Sequence, residues 1–197
     1  MLYKISKIVA HLSCWFPLGY ILYAVNNRLL GADPQESMLE LLGLWALIFL
    51  FLCLSVTPVA RIFKKPVFTK FRRLLGIYSA VYLLFHIALF FIFYLEMDFG
   101  YLFREIVERP YISVGMLAGI LLIPLTATST KKMQRRLGRR WKKLHQLTYL
   151  VAILAITHFI WQTKSDLNEP FIYLLWLIFL LGYRIYQRNL GKKKLRT

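Results

Sequence analysis

Five stretches of this 197-residue chain contain no Asp, Glu, Lys or Arg: residues 8–25, 41–60, 74–95, 111–130 and 144–163, each 18 to 22 residues long. About 20 apolar residues suffice to carry a helix across the hydrocarbon core of a bilayer. Backbone polar groups in lipid must be satisfied within the segment, so such stretches fold as helices. A sixth stretch, residues 170–186, is interrupted only by Arg184. An arginine near a helix end can snorkel to the interface, so this stretch also reads as a span. The hydrophobic share of 58% exceeds what a soluble domain of this size needs. The expected fold is an all-α integral membrane protein, a six-transmembrane-helix bundle forming one domain over residues 1–197.

Charge fixes the expected orientation. Lys4 and Lys7 precede the first span. Arg61, Lys64, Lys65, Lys70, Arg72 and Arg73 lie between spans two and three, and Lys131, Lys132, Arg135, Arg136, Arg139, Arg140, Lys142 and Lys143 between spans four and five. Arg184, Arg188, Lys192, Lys193, Lys194 and Arg196 close the chain. Threading the spans back and forth puts all of these on one side. Every acid (Asp33, Glu36, Glu40, Glu96, Asp98, Glu105, Glu108, Asp166 and Glu169) falls on the other. This is the positive-inside pattern, and it expects both termini in the cytoplasm. The net charge of +17 therefore argues for a membrane protein that can also bind anionic lipid headgroups, and against a nucleic-acid binder.

The connections are short: residues 26–40, 96–110 and 164–169 outside, 61–73 and 131–143 inside. None has room for a folded domain of its own, and no Gly-rich phosphate loop follows a strand-like run. No internal repeat is expected. Pro34, Pro66 and Pro110 sit where helices start, and Asp33–Pro34 reads as a turn before the second helix. Pro58 and Pro124 lie inside spans. Cys14 and Cys53, also inside spans, have neither metal nor redox spacing and read as packing residues. Gly76, Ser79, Ala80, Ala152 and Ala155 are small enough for helices or a flat cofactor to approach closely.

The chemistry-bearing residues are the four histidines, His11, His86, His145 and His158, all within apolar stretches. An ionisable ring in hydrocarbon is a functional hypothesis by default. His86 lies 13 residues past Arg73 and His158 lies 15 past Lys143. At about 1.5 Å per residue these are depths of roughly 20 and 22 Å from the inner face. Two imidazoles level with each other in the outer half suit the axial ligands of a haem held between facing helices. They equally suit polar contacts that join helices by hydrogen bonding. His145 and His11 lie near the inner boundary, where a second haem or an interfacial role are both open.

Several segments carry a resemblance to a known family. GADP at 31–34, TPVAR at 57–61, FRRLLGIY at 71–78 leading to His86, RPYISVG at 109–115 and TSTKKMQRRLGRRWKKLHQLTYLVAI at 128–153 followed by His158 resemble the MsrQ family, formerly YedZ. That family belongs to the ferric-reductase-like transmembrane group. The resemblance covers essentially the whole chain. It implies a haem b membrane subunit of a methionine-sulfoxide reductase system, with FMN also bound. It places haem ligands at His86, His145 and His158. It further implies delivery of electrons from quinol or a cytosolic flavin reductase to a periplasmic molybdopterin enzyme, MsrP. Only one histidine lies on the third span, where the wider oxidase group has two, so a full two-haem wire is not implied. The competing expectations are a self-contained transmembrane ferric or metal reductase and a small transporter with a histidine relay.

Overall fold

The computed structural model describes residues 2–163 and 167–194. Lys164, Asp166 and Arg196, which flank the last span, lie outside the described residues, as do the side chains of Lys4, Lys192, Lys193 and Lys194. The helices are α1 (Leu2–Asn26), α2 (Pro34–Ile62), α3 (Arg72–Phe93), α4 (Phe99–Glu108), α5 (Pro110–Ala127), α6 (Lys131–Leu137), α7 (Arg139–His145), α8 (Leu147–Gln162) and α9 (Asn168–Lys194), with a 3-10 turn at Pro66–Phe71 ahead of α3. Among the described residues there is no strand. Six segments are long and apolar enough to cross a membrane: Ile5–Asn26, Pro34–Ile62, Pro66–Phe93, Pro110–Ala127, Arg139–Gln162 and Asn168–Leu190. The protein is thus an all-α, multi-pass membrane protein. Its exposed side chains agree with lipid as the solvent: Phe16, Leu12, Leu84, Ile123 and Ile172 are all well exposed, which water would penalise.

Local chemistry sets the helix starts. The Asp33 carboxylate accepts the backbone N–H groups of Gln35 and Glu36, both at 3.0 Å, and Pro34 fills the first helical position. Capping there starts α2 well before residue 41, so the helix has 29 residues where the span needed 20. Pro110 likewise opens α5. The loops hold more helix than their composition suggested. The connection 96–110 contains α4, whose Phe99, Phe103 and Val107 form an exposed strip one turn apart. That pattern belongs to a helix lying in a membrane interface. The basic segment from residue 131 onward forms α6 and α7, separated by Gly138 at φ 51°, a left-handed conformation open chiefly to glycine. The fifth span is not one unbroken helix over 144–163, because α7 and α8 part at Gln146.

The chain divides into two compact units, residues 1–53 with 70–108 and residues 54–69 with 109–197. In the first, Cys14, Ile21, Leu42, Ala46, Phe49, Leu74, Tyr78 and Tyr82 form the buried cluster. Ser79 Oγ donates to Ala46 O at 2.8 Å, tying α3 to α2. Pro17 interrupts α1, and the Tyr82 hydroxyl enters the helix just beyond it, accepting Leu18 N–H at 3.1 Å and donating to Cys14 O at 2.8 Å. One side chain therefore bonds both the N–H and the carbonyl of an i to i−4 pair beside the proline. Both cysteines are buried thiols, and Cys53 Sγ donates to Arg72 O at 3.2 Å.

In the second unit, α5 packs along α8, and Ile112, Ala118, Leu122 and Leu125 are buried with Val151, Ala152 and Ile156. Arg184 does not snorkel. Its Nη1 donates to Tyr149 Oη at 2.5 Å and its Nη2 to Leu54 O at 2.8 Å. The guanidinium carbon also stands 4.7 Å from the Tyr149 ring centroid. Leu54 O is the carbonyl that residue 58 would occupy in a regular helix. Pro58 has no N–H to offer, so the arginine is drawn inward to fill the gap.

Candidate functional site

Each unit carries two of the four histidines. In the first, His86 on α3 turns toward α2, with Nδ1 2.9 Å from Leu39 O. In the second, His158 on α8 turns toward α5, with Nδ1 2.7 Å from Tyr111 O. A carbonyl oxygen can only accept, so in both rings Nδ1 carries a proton, and in the neutral form of each ring Nε2 then carries the lone pair. Each ring lies flat against a glycine one turn beyond the carbonyl that holds it. A Cβ on Gly43 would stand 3.0 Å from both Nδ1 and Cε1 of His86, and one on Gly115 would stand 2.8 Å from Nδ1 and 2.9 Å from Cε1 of His158. The spacings repeat: each histidine follows its carbonyl partner by 47 residues and its glycine by 43. A carbonyl, glycine and histidine set occurs twice, offset by 72 residues.

His145 is held differently. Its Nε2 is 3.2 Å from Thr128 Oγ1. That hydroxyl gives its single proton to Pro124 O at 2.6 Å, so it accepts from the ring, and Nε2 is the protonated nitrogen. The ring stacks on Trp141 at 4.0 Å and 26°, and Trp141 Nε1 donates to Thr128 O at 3.0 Å. His145 thus sits in a bracket of aromatic and hydroxyl groups at the end of the strongly basic α6 and α7. His11, on an exposed face of α1, has Nδ1 3.0 Å from Tyr78 Oη and meets that ring edge-on.

These arrangements bear on whether a haem fits. Histidines that ligate iron are generally oriented by a hydrogen bond from the other ring nitrogen to a carbonyl or carboxylate, which fixes the tautomer and raises ligand basicity. His86 and His158 have that arrangement and fit the group. His145 has its Nε2–H committed to Thr128, and His11 is occupied with Tyr78. Among the described residues no group of three or more His, Cys, Asp or Glu comes together, so no site built from protein ligands alone is formed there. Sequence reasoning located the rings but not what holds them. Tyr111, Gly115, Thr128 and Trp141 fall within the quoted motifs but were given no role, and Leu39 and Gly43 were not singled out. The repeated 43-residue spacing between glycine and histidine was the available signal.

Comparison with known proteins gives a consistent result. The family model described as ferric reductase like transmembrane component matches residues 41–156. A protein of Xanthomonas euvesicatoria pv. vesicatoria (strain 85-10), named Protein-methionine-sulfoxide reductase heme-binding subunit MsrQ, is 39% identical over 189 residues, covering 93% of this chain and 87% of its own length. Proteins of the same name from Xanthomonas campestris pv. campestris (strain B100) and Klebsiella pneumoniae (strain 342) are 43% identical over 159 residues and 38% over 179. They cover 81% and 90% of this chain, and 73% and 90% of their own lengths. No solved structure matches significantly. The family model covers His86, His145 and the basic connection between them, and the chain belongs to the ferric-reductase-like transmembrane family and, within it, to the MsrQ heme-binding subunits.

Proposed function

We propose that this membrane electron-transfer subunit binds haem b through His86 and His158, with residues 1–197 acting as one functional domain whose termini are cytoplasmic. The observation that carries the assignment is the matched pair of Nδ1 bonds, to Leu39 O at 2.9 Å and to Tyr111 O at 2.7 Å. Bound haem supplies the one-electron chemistry that no side chain here offers. The protein's own part is to hold two neutral imidazoles in one tautomer and to bury them in apolar helices. His145, beside the basic α6 and α7, marks the inner side. An inner haem through His145, with His11 as a further candidate, is the second reading, and it requires Thr128 to release Nε2.

The donor is quinol or a cytosolic flavin reductase, and the inner face favours anionic partners. Lys131, Lys132, Arg135, Arg136, Arg139, Arg140, Lys142 and Lys143 all lie on α6 and α7, and such a field attracts an FMN phosphate, an acidic protein surface or anionic lipid headgroups. The acceptor is the periplasmic molybdopterin methionine-sulfoxide reductase MsrP, which repairs oxidised envelope proteins. The outer connections carry Glu36, Glu40, Glu96, Asp98, Glu105 and Glu108, and a complementary basic surface would be steered to them. The test is reoxidation of the dithionite-reduced protein. MsrP with methionine sulfoxide should reoxidise it, more slowly at high salt. Equal reoxidation by ferric chelates with no response to MsrP would favour a self-contained ferric reductase.

A further inference from the structure

We infer that Gly43 and Gly115 are positioning residues for the two haem-facing imidazoles, each setting its histidine's tautomer and tilt by admitting the ring against the helix backbone; the inference rests on the haem reading above. Both glycines lie in the interior of membrane helices. Alanine is the better helix former there, so glycine needs another reason. The reason is on the neighbouring helix. Each imidazole reaches the carbonyl of residue i and lies over residue i+4, where any Cβ would occupy the space of the ring. The carbonyl in question also receives the N–H of that same glycine in an α-helix, and it has two lone pairs for the two donors. Histidine, carbonyl and glycine therefore make one unit, present twice with the same 43-residue spacing.

The two copies are not equally tight. At Gly43 the closest approaches are 3.0 Å, which a small ring movement relieves. At Gly115 three ring atoms, Nδ1, Cε1 and Cγ, stand at 2.8, 2.9 and 3.1 Å, so the whole imidazole must swing away. Swinging the ring breaks the Nδ1 bond and turns Nε2 off its line. Gly115→Ala should therefore be the more damaging substitution. By contrast, a Cβ on Gly19 or on Gly182 meets nothing within 4 Å.

The experiment purifies Gly43→Ala, Gly115→Ala, Gly19→Ala and Gly182→Ala in detergent. It measures haem per protein, the low-spin ferric electron paramagnetic resonance spectrum and the reduction midpoint. Outer-shell substitutions around metal-bound histidines weaken binding by about 10- to 100-fold. A loss of haem affinity in that range, or shifted g-values and midpoint where haem is retained, is expected for Gly115→Ala and, more weakly, Gly43→Ala. The two control variants should match the unsubstituted protein. A second measurement does not depend on haem. Gly43→Ala should lower the thermal unfolding midpoint when His86 is present and raise it in the His86→Ala background, where the methyl group has room. Gly115→Ala should reverse sign in the same way with His158→Ala. Unsubstituted protein that purifies without haem would defeat the haem reading while leaving the sign reversal to be read. Haem-loaded Gly43→Ala and Gly115→Ala proteins with unchanged spectra and midpoints, or an absence of sign reversal, would overturn the positioning role.

Discussion

Replacing Tyr82 with phenylalanine isolates a single structural claim, that the Tyr82 hydroxyl braces α1 beside Pro17. The substitution keeps the ring and its contact with Phe49 at 5.1 Å, and removes one oxygen that is 0% exposed. Two bonds go with it, from Leu18 N–H at 3.1 Å and to Cys14 O at 2.8 Å. A buried backbone group left without a partner costs about 1–3 kcal/mol, so two such groups set an upper bound of about 6 kcal/mol. The bound is not reached, because Leu18 N–H and Cys14 O are themselves an i to i−4 pair and can close on each other once the hydroxyl is gone. The expected loss is about 1–3 kcal/mol. Tyr78→Phe is the control. It forfeits the bond to His11, an exposed side chain to which a headgroup or water can bond instead, and should cost less, about 1 kcal/mol. The assay is the unfolding midpoint followed by helical circular dichroism in one detergent. Tyr82→Phe matching the unsubstituted protein, or losing less than Tyr78→Phe, would refute the reasoning.

Two further outcomes follow from charge and loop length. Reporter fusions at Lys132 and at Asp98 should report opposite sides of the membrane, since basic and acidic connections alternate along the chain; the same side for both would undo the depth comparison of His86 and His158. Purified protein given NADH or NADPH alone should show no haem reduction, because no connection is long enough to fold into a dinucleotide-binding domain. Reduction should begin when quinol or a flavin reductase is added, and reduction without either would contradict the proposed donor.

The spans were legible because lipid enforces a simple rule: a run of about 20 uncharged apolar residues must be helical. The small helices were less so. Phe99, Phe103 and Val107 recur every four residues within an outer connection that holds four acids, and its charge masked the helical period. Gln146 carries no breaker residue, so the parting of α7 and α8 follows from tertiary context. Arg184 was misread because its partner is an orphaned carbonyl beside Pro58 on a helix more than 120 residues away, which local patterning cannot reveal. The histidines stood out as ionisable groups in apolar stretches. Their cradles did not, because a glycine in a membrane helix has many uses, and only the structure places Gly43 under His86 and Gly115 under His158.

The most direct test of the account is the optical and electron paramagnetic resonance spectrum, with haem quantified, of His86→Ala and His158→Ala beside His11→Ala. The account predicts that each of the first two loses the six-coordinate low-spin signal and most of the bound haem b, while His11→Ala, which gives up only a contact with Tyr78, keeps both. A normal six-coordinate spectrum in either His86→Ala or His158→Ala would contradict the proposed ligation.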